Sequence, residues 1–114
     1  MRQLKAIVSR IRKVFDGDTF RCDIDEWPKL FGYNIRIRIR GINCCELSNK
    51  DVIQRALAER AKQITYESLT NANQIILTDI ERGKFFRLIA DVSCDGQDLG
   101  AMLLSKGLAV KYHI

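Results

Sequence analysis

The most restrictive stretch of this chain is Ile35-Arg36-Ile37-Arg38-Ile39-Arg40. Side chains of a β-strand alternate between faces, so three isoleucines fall on one side and three arginines on the other. The stretch predicts a strand with one face in a core and a cationic face outside it.

The flanking segments extend this reading. Residues 4–15 become strand-like toward their end, and Thr19–Ile24 forms a second run. The Asp16-Gly17 pair between them predicts a hairpin. Glu26 to Lys29 reads as a loop, because Pro28 has no N–H to give to a ladder. Ser48 with Asp51 resembles a capping box in which Asp stands for Glu or Gln. The helix that follows is expected to run to about Leu69, with Ile53, Leu57, Ala61 and Ile64 as its core-facing stripe. Residues 74–79 and 86–92 read as strands, and Cys94 to Gln97 as a turn. Asp98 is placed to cap a short helix ending before Gly107. Three strands, a helix, two strands and a short helix predict an α+β, mainly β domain. The expected architecture is a five-stranded OB-fold barrel with its helix between strands three and four, one domain over residues 1–114. Such barrels commonly bind oligonucleotides, but the fold alone assigns no function.

Composition narrows the partners. Nineteen Lys and Arg against 14 Asp and Glu give a charge of +5. That excess favours polyanions, although it also serves solubility. No apolar run approaches the ~18 residues of a membrane span. Arg2, Lys5, Arg10, Arg12 and Lys13 stand where a secretory signal would need apolar residues. The cysteines, Cys22, Cys44, Cys45 and Cys94, include no C-x-x-C pair, which argues against zinc. Adjacent Cys44 and Cys45 suit a mutual disulfide poorly, so all are read as reduced thiols of a cytoplasmic protein. The expected partner is nucleic acid and not a membrane, and the expected state is a monomer.

Cutting a phosphodiester requires a base for water, cations for the phosphoryl oxygens, and oxygen ligands if a hard metal takes part. Four segments offer these in an order that resembles the thermonuclease (staphylococcal nuclease-like) family. Phe15-Asp16-Gly17-Asp18-Thr19-Phe20 resembles its D-G-D-T turn. Arg38 to Glu46 is similar to its R-x-x-G-I-D-x-P-E segment, and Lys84 to Val92 to its K-Y-G-R-x-L-A-x-V stretch. Asp95-Gly96, Asp98-Leu99 and Gly107-Leu108-Ala109 fit its closing segment.

This resemblance implies a calcium-dependent endonuclease acting on DNA or RNA, with single strands favoured, and leaving 3′-phosphate ends. It implies Asp18 as the main metal carboxylate, with Asn43 and the backbone oxygen of Cys44 as further ligands. Glu46 would be the general base, Arg38 and Arg87 the phosphate-gripping cations, and Lys84 and Tyr112 the nucleotide-pocket residues. Arg36 and Arg40 are read as surface or backbone-neutralising charges. His113, the single histidine, is given no catalytic role.

Taken alone, the same residues have plainer readings. Asp16 and Asp18 suit a hairpin turn, alternating arginines suit a solvated strand face, and Glu46 suits a helix start. Tyr112 suits a core edge. The sequence also departs from the family pattern. Asn43 stands for an aspartate, Cys45 for a proline, and Phe85-Phe86 for Tyr-Gly. The family's usual last helix is not expected in this chain, which predicts lower stability than a longer relative. The alternative function is a weak or silent OB module that binds single strands through aromatics such as Phe20, Trp27, Phe31, Tyr33, Phe85 and Phe86.

Overall fold

A computed structural model of the protein describes residues 5–112, so His113 lies outside the described residues. The fold is α+β and mainly β, with a sheet curled into a half-barrel and three helices. Nine strand segments are present among the described residues. They are β1 (Lys5–Ile7), β2 (Arg10–Asp16), β3 (Thr19–Asp23), β4 (Ile35–Ile39), β5 (Ile42–Cys44), β6 (Ile75–Arg82), β7 (Arg87–Cys94), β8 (Gln97–Asp98) and β9 (Ala109–Lys111). The helices are α1 (Lys29–Gly32), α2 (Val52–Asn71) and α3 (Leu99–Ser105).

The main sheet runs β1-β6-β7-β4-β3-β2, with β8 paired to β7. Its two edges, β1 and β2, are consecutive pieces of one run. The break between them has a backbone cause. Val8 N–H bonds Ile75 O, whereas Ser9 N–H bonds Asp23 O, so the chain leaves the β6 side and joins β3. A strand that serves both edges curls the sheet toward closure. Phe20, Ile37, Leu77, Ala90 and Val92 fill the inside, and each is buried.

β4 is the strand that the alternation predicts. Ile37 and Ile39 are buried, while Arg36, Arg38 and Arg40 are only partly covered. Gly41 then turns the chain with φ of 77° into the short β5, which pairs with β9 in a separate two-stranded sheet. The sequence reading missed both strands because each has only three residues.

Two helix details differ from expectation. Asp51 itself caps α2, its side chain accepting from the backbone N–H of Ile53 and Gln54. Ser48 is not the cap. The core-facing stripe is Ala58, Ala61, Thr65 and Leu69. Ala61 belongs to the expected stripe and Ile64 packs against the core beside it, whereas Ile53 and Leu57 are exposed. The expected loop after Glu26 contains one helical turn, α1, in which Phe31 and Gly32 N–H bond Pro28 O. No described helix is long and apolar enough to cross a membrane.

Candidate active site

The β2–β3 turn delivers the first acidic groups. Asp16 Oδ1 accepts the Asp18 N–H at 3.1 Å, which folds the D-G-D turn on itself. Gly17 is required there. A Cβ on it would lie 2.7 Å from both Ala61 Cβ and Cys44 Sγ, so the turn is pressed between α2 and β5. Thr65 of α2 holds it in place, its hydroxyl donating to Gly17 O at 2.8 Å.

Asp18 is consequently buried, and its carboxylate is fully engaged. Oδ1 accepts from Thr19 Oγ1 at 2.9 Å, and Oδ2 accepts from Cys44 N–H at 2.9 Å. Arg38 NH1 lies 2.9 Å from the same Oδ2 as an ion pair, although outside hydrogen-bonding geometry. Arg38 NH2 donates to Asn43 Oδ1 at 3.0 Å. One guanidinium thus gathers Asp18, Asn43 and, through Asp18, the backbone of Cys44. These residues come from the β2–β3 turn, β4 and β5, three separate segments of the sequence.

Asp16 belongs to this cluster, and the sequence reading gave it no chemical role. Burial, together with the adjacent Asp18, pushes its carboxyl up to about 6. Two carboxylates a turn apart were visible in D-G-D-T, but their mutual burial depends on how α2 covers the turn. Burial also pushes the Cys44 thiol up to about 12, so it stays protonated and inert. All four cysteines are free.

Beside the cluster opens a groove of about 740 Å³ lined by Arg38, Asn43, Arg82, Lys84, Arg87 and Tyr112, among others. The parallel register sets Arg36 opposite Arg87 and Arg38 opposite Ile89, which brings Arg38 and Arg87 onto neighbouring strands of one wall. Lys84 sits in the β6–β7 turn, where Gly83 N–H bonds Arg87 O at 2.8 Å. Tyr112 follows β9, and its N–H bonds Gly41 O at 2.9 Å. The Tyr112 ring is exposed and stands 5.8 Å from the Arg38 guanidinium, so it is a groove wall and not a core edge.

Glu46 is placed differently. It is exposed on the β5–α2 loop, two residues beyond Cys44, and does not line the groove. Its backbone oxygen accepts from Asn49 N–H. No side-chain bond holds its carboxylate among the described residues. Arg40 also departs from the reading as a surface charge. It pairs with Glu81 at 2.5 Å, lies 3.7 Å from Asp91 and donates to Asp79 O, tying β4 to β6 and β7.

Phe85 and Phe86 carry a backbone cost. Both adopt left-handed φ, 59° and 58°, where the family pattern has glycine at the second position. Such conformations are uncommon for bulky residues and cost of order 1 kcal/mol each. Both rings are exposed.

Residues 36–114, from β4 onward, match the family described as staphylococcal nuclease homologue (SNase), and the chain belongs to that family. A comparison with curated proteins finds no match. The matched range begins after the D-G-D-T hairpin, so the place of Asp18 in the site rests on its ion pair with Arg38. Membership carries a nuclease-like or nucleic-acid-binding function.

The family's metal can be tested against these residues. Among the described residues no three His, Cys, Asp or Glu side chains form a metal cluster. The donors offered here are two carboxylates, Asp16 and Asp18, and the Asn43 amide oxygen. All are hard oxygens, the donor type that a hard divalent cation prefers. In donor type the set suits calcium, with one charge fewer than an aspartate at 43 would give, and its Asp18 and Asn43 oxygens are engaged by Arg38.

Proposed function

We propose that the protein is a calcium-dependent endonuclease that hydrolyses DNA or RNA strands and leaves 3′-phosphate ends. The observation that carries this reading is Arg38, which pairs with Asp18 on one side and lines the cationic groove with Lys84, Arg87 and Tyr112 on the other. A phosphodiester lying in that groove meets two guanidinium groups whose planar forks match phosphoryl oxygens. Charge that develops on those oxygens in the transition state is met by donors already in place.

Asp18, Asn43 and the Cys44 backbone oxygen would hold the cation, with Asp16 adjacent. When bound it supplies electrophilic stabilisation of the phosphoryl oxygens. Glu46 accepts the proton of the attacking water. Its exposed, unrestrained carboxylate suits a group that engages when substrate fills the groove. The water oxygen bonds to phosphorus, the bond from phosphorus to the 5′ oxygen breaks, and that oxygen leaves with a proton from solvent. Lys84 and Tyr112 position the flanking nucleotide.

Glu46→Gln tests the assignment. Cleavage should fall by about 10²-fold or more while strand binding stays at the wild-type level. Undiminished cleavage would remove Glu46 from the mechanism.

A silent binding module is the second reading, favoured by Asn43 and by the exposed rings of Phe85 and Phe86. It retains the groove and its affinity for single strands but performs no cleavage.

A further inference from the structure

The groove accounts for Arg38, Lys84 and Arg87 but leaves other cations of the sheet without a role. Lys13 stands opposite Arg21 across β2–β3, Arg21 opposite Arg36 across β3–β4, and Arg36 opposite Arg87 across β4–β7. Directly opposed residues share a sheet face, so the four form one row over four neighbouring strands. At ~4.8 Å per strand the row extends about 14 Å from Arg87.

Like charges placed opposite one another weaken strand pairing, and here three such pairs adjoin. The neighbouring arginines are neutralised, Arg12 by Asp23, Arg38 by Asp18 and Arg40 by Glu81. None of the four in the row has an ion-pair partner among the described residues. The Nε atoms of Arg21, Arg36 and Arg87 are buried and lack any hydrogen-bond acceptor. Phe15 supports the row from the same face. Its ring centroid lies 4.6 Å from the Arg36 guanidinium, 5.4 Å from that of Arg21 and 5.0 Å from Lys13 Nζ. A ring face attracts cations but offers no lone pair to these donors. The row is prepared for a chain of anions.

We propose that Lys13, Arg21 and Arg36 form a phosphate track that carries the backbone of a single nucleic-acid strand away from Arg87. The row is one side chain wide, which fits one strand, and guanidinium forks match successive phosphates. This rests on nucleic acid being the substrate. It adds that affinity comes from several consecutive phosphates and is independent of base sequence.

The test uses the double variant Arg21→Gln, Arg36→Gln and an oligodeoxynucleotide of about 12 nucleotides, within the site size of an OB fold. Each lost single-strand contact lowers the slope of log affinity against log salt by ~0.7, so the double variant should lose about 1.4. The loss should be equal for oligo-dT and for a mixed sequence. Cleavage of a dinucleotide, too short to reach the track, and the turnover number at saturating strand should not change. Arg36→Lys should retain most of the slope. An unchanged slope in a variant of a wild type that does bind overturns the track alone. Equal loss on the dinucleotide, or in Arg36→Lys, assigns these residues a structural role and also overturns it. A wild type that binds no strand overturns the track together with the proposed function.

Discussion

Arg38 NH1 stands 2.9 Å from Asp18 Oδ2, and both side chains are largely buried, at 13% and 9% exposure. The pair links β4, which alternation defines, to a turn that precedes the family-matched residues. It also places the cation proposed to grip phosphate against the carboxylate proposed to hold metal. Removing either group leaves the other charged and desolvated.

Arg38→Ala should therefore lose both stability and activity. Breaking a buried pair from one side typically costs ~3 kcal/mol, and losing one preorganised donor reduces turnover by about 10²–10³-fold. Arg38→Lys should restore part of the stability and little of the activity, because one ammonium cannot reach Asp18 and Asn43 together. Chemical denaturation and single-turnover cleavage measure the two effects. Wild-type stability in Arg38→Ala would contradict the burial of this pair.

Asn43→Asp should tighten calcium binding, on the order of tenfold, because ligand charge sets affinity in such sites. The new carboxylate keeps the acceptor that Arg38 NH2 uses. Calcium titration by calorimetry, run beside cleavage at limiting calcium, checks this. Weaker binding in the variant would show that residue 43 does not face the ion.

The hairpin depends on what α2 presses onto it. Thr65→Val removes the donor to Gly17 O and leaves a buried carbonyl unsatisfied, at a cost of about 1–3 kcal/mol. Gly17→Ala forces a Cβ to 2.7 Å from Ala61 and Cys44, an overpacking cost of about 1–3 kcal/mol or more. Both should lower the melting temperature and reduce calcium affinity together, since Asp18 rides on this turn. A stability loss without any change in metal binding would separate the turn from the site.

Acid sensitivity should centre on Asp23. Arg12 holds its carboxyl below the usual carboxylate range through Nε and NH2, and Asn34 N–H bonds it at 2.7 Å. A depressed folded-state value stabilises the fold above the unfolded value of about 3.8 and is lost as pH falls below it. Asp23→Asn should leave a flatter stability profile between pH 5 and 2, roughly the range over which such a carboxylate titrates. Urea denaturation across that range measures it. A profile as steep as wild type would assign the acid sensitivity elsewhere.

How much of this was legible depended on how local each signal is. The alternation at 35–40, the D-G hairpin and the cap Asp98 are set by near neighbours, and each appears in the structure, whereas the capping box read at Ser48 gives way to Asp51 as the cap of α2. The stripe of α2 was read correctly at Ala61 and Ile64 but misread at its start, because hydropathy favours Ile53 and Leu57, which are exposed. Close approach to the Gly17 turn instead selects Ala61 and Thr65. β5 and β9 have no periodicity of their own, since three residues cannot show one. In the site, Asp18, Arg38 and Asn43 could be named from the family resemblance, but their contacts could not. The tie from Arg40 to Glu81 and the burial that raises the Asp16 carboxyl both depend on long-range packing, which spacing does not encode.

The most direct test of the central claim is cleavage of single-stranded DNA by the purified chain in millimolar calcium, beside the same reaction with chelator. The account predicts cutting in calcium, none in chelator, and products ending in 3′-phosphate. Strand binding with no cutting at any calcium concentration would contradict it and make the protein a binding module.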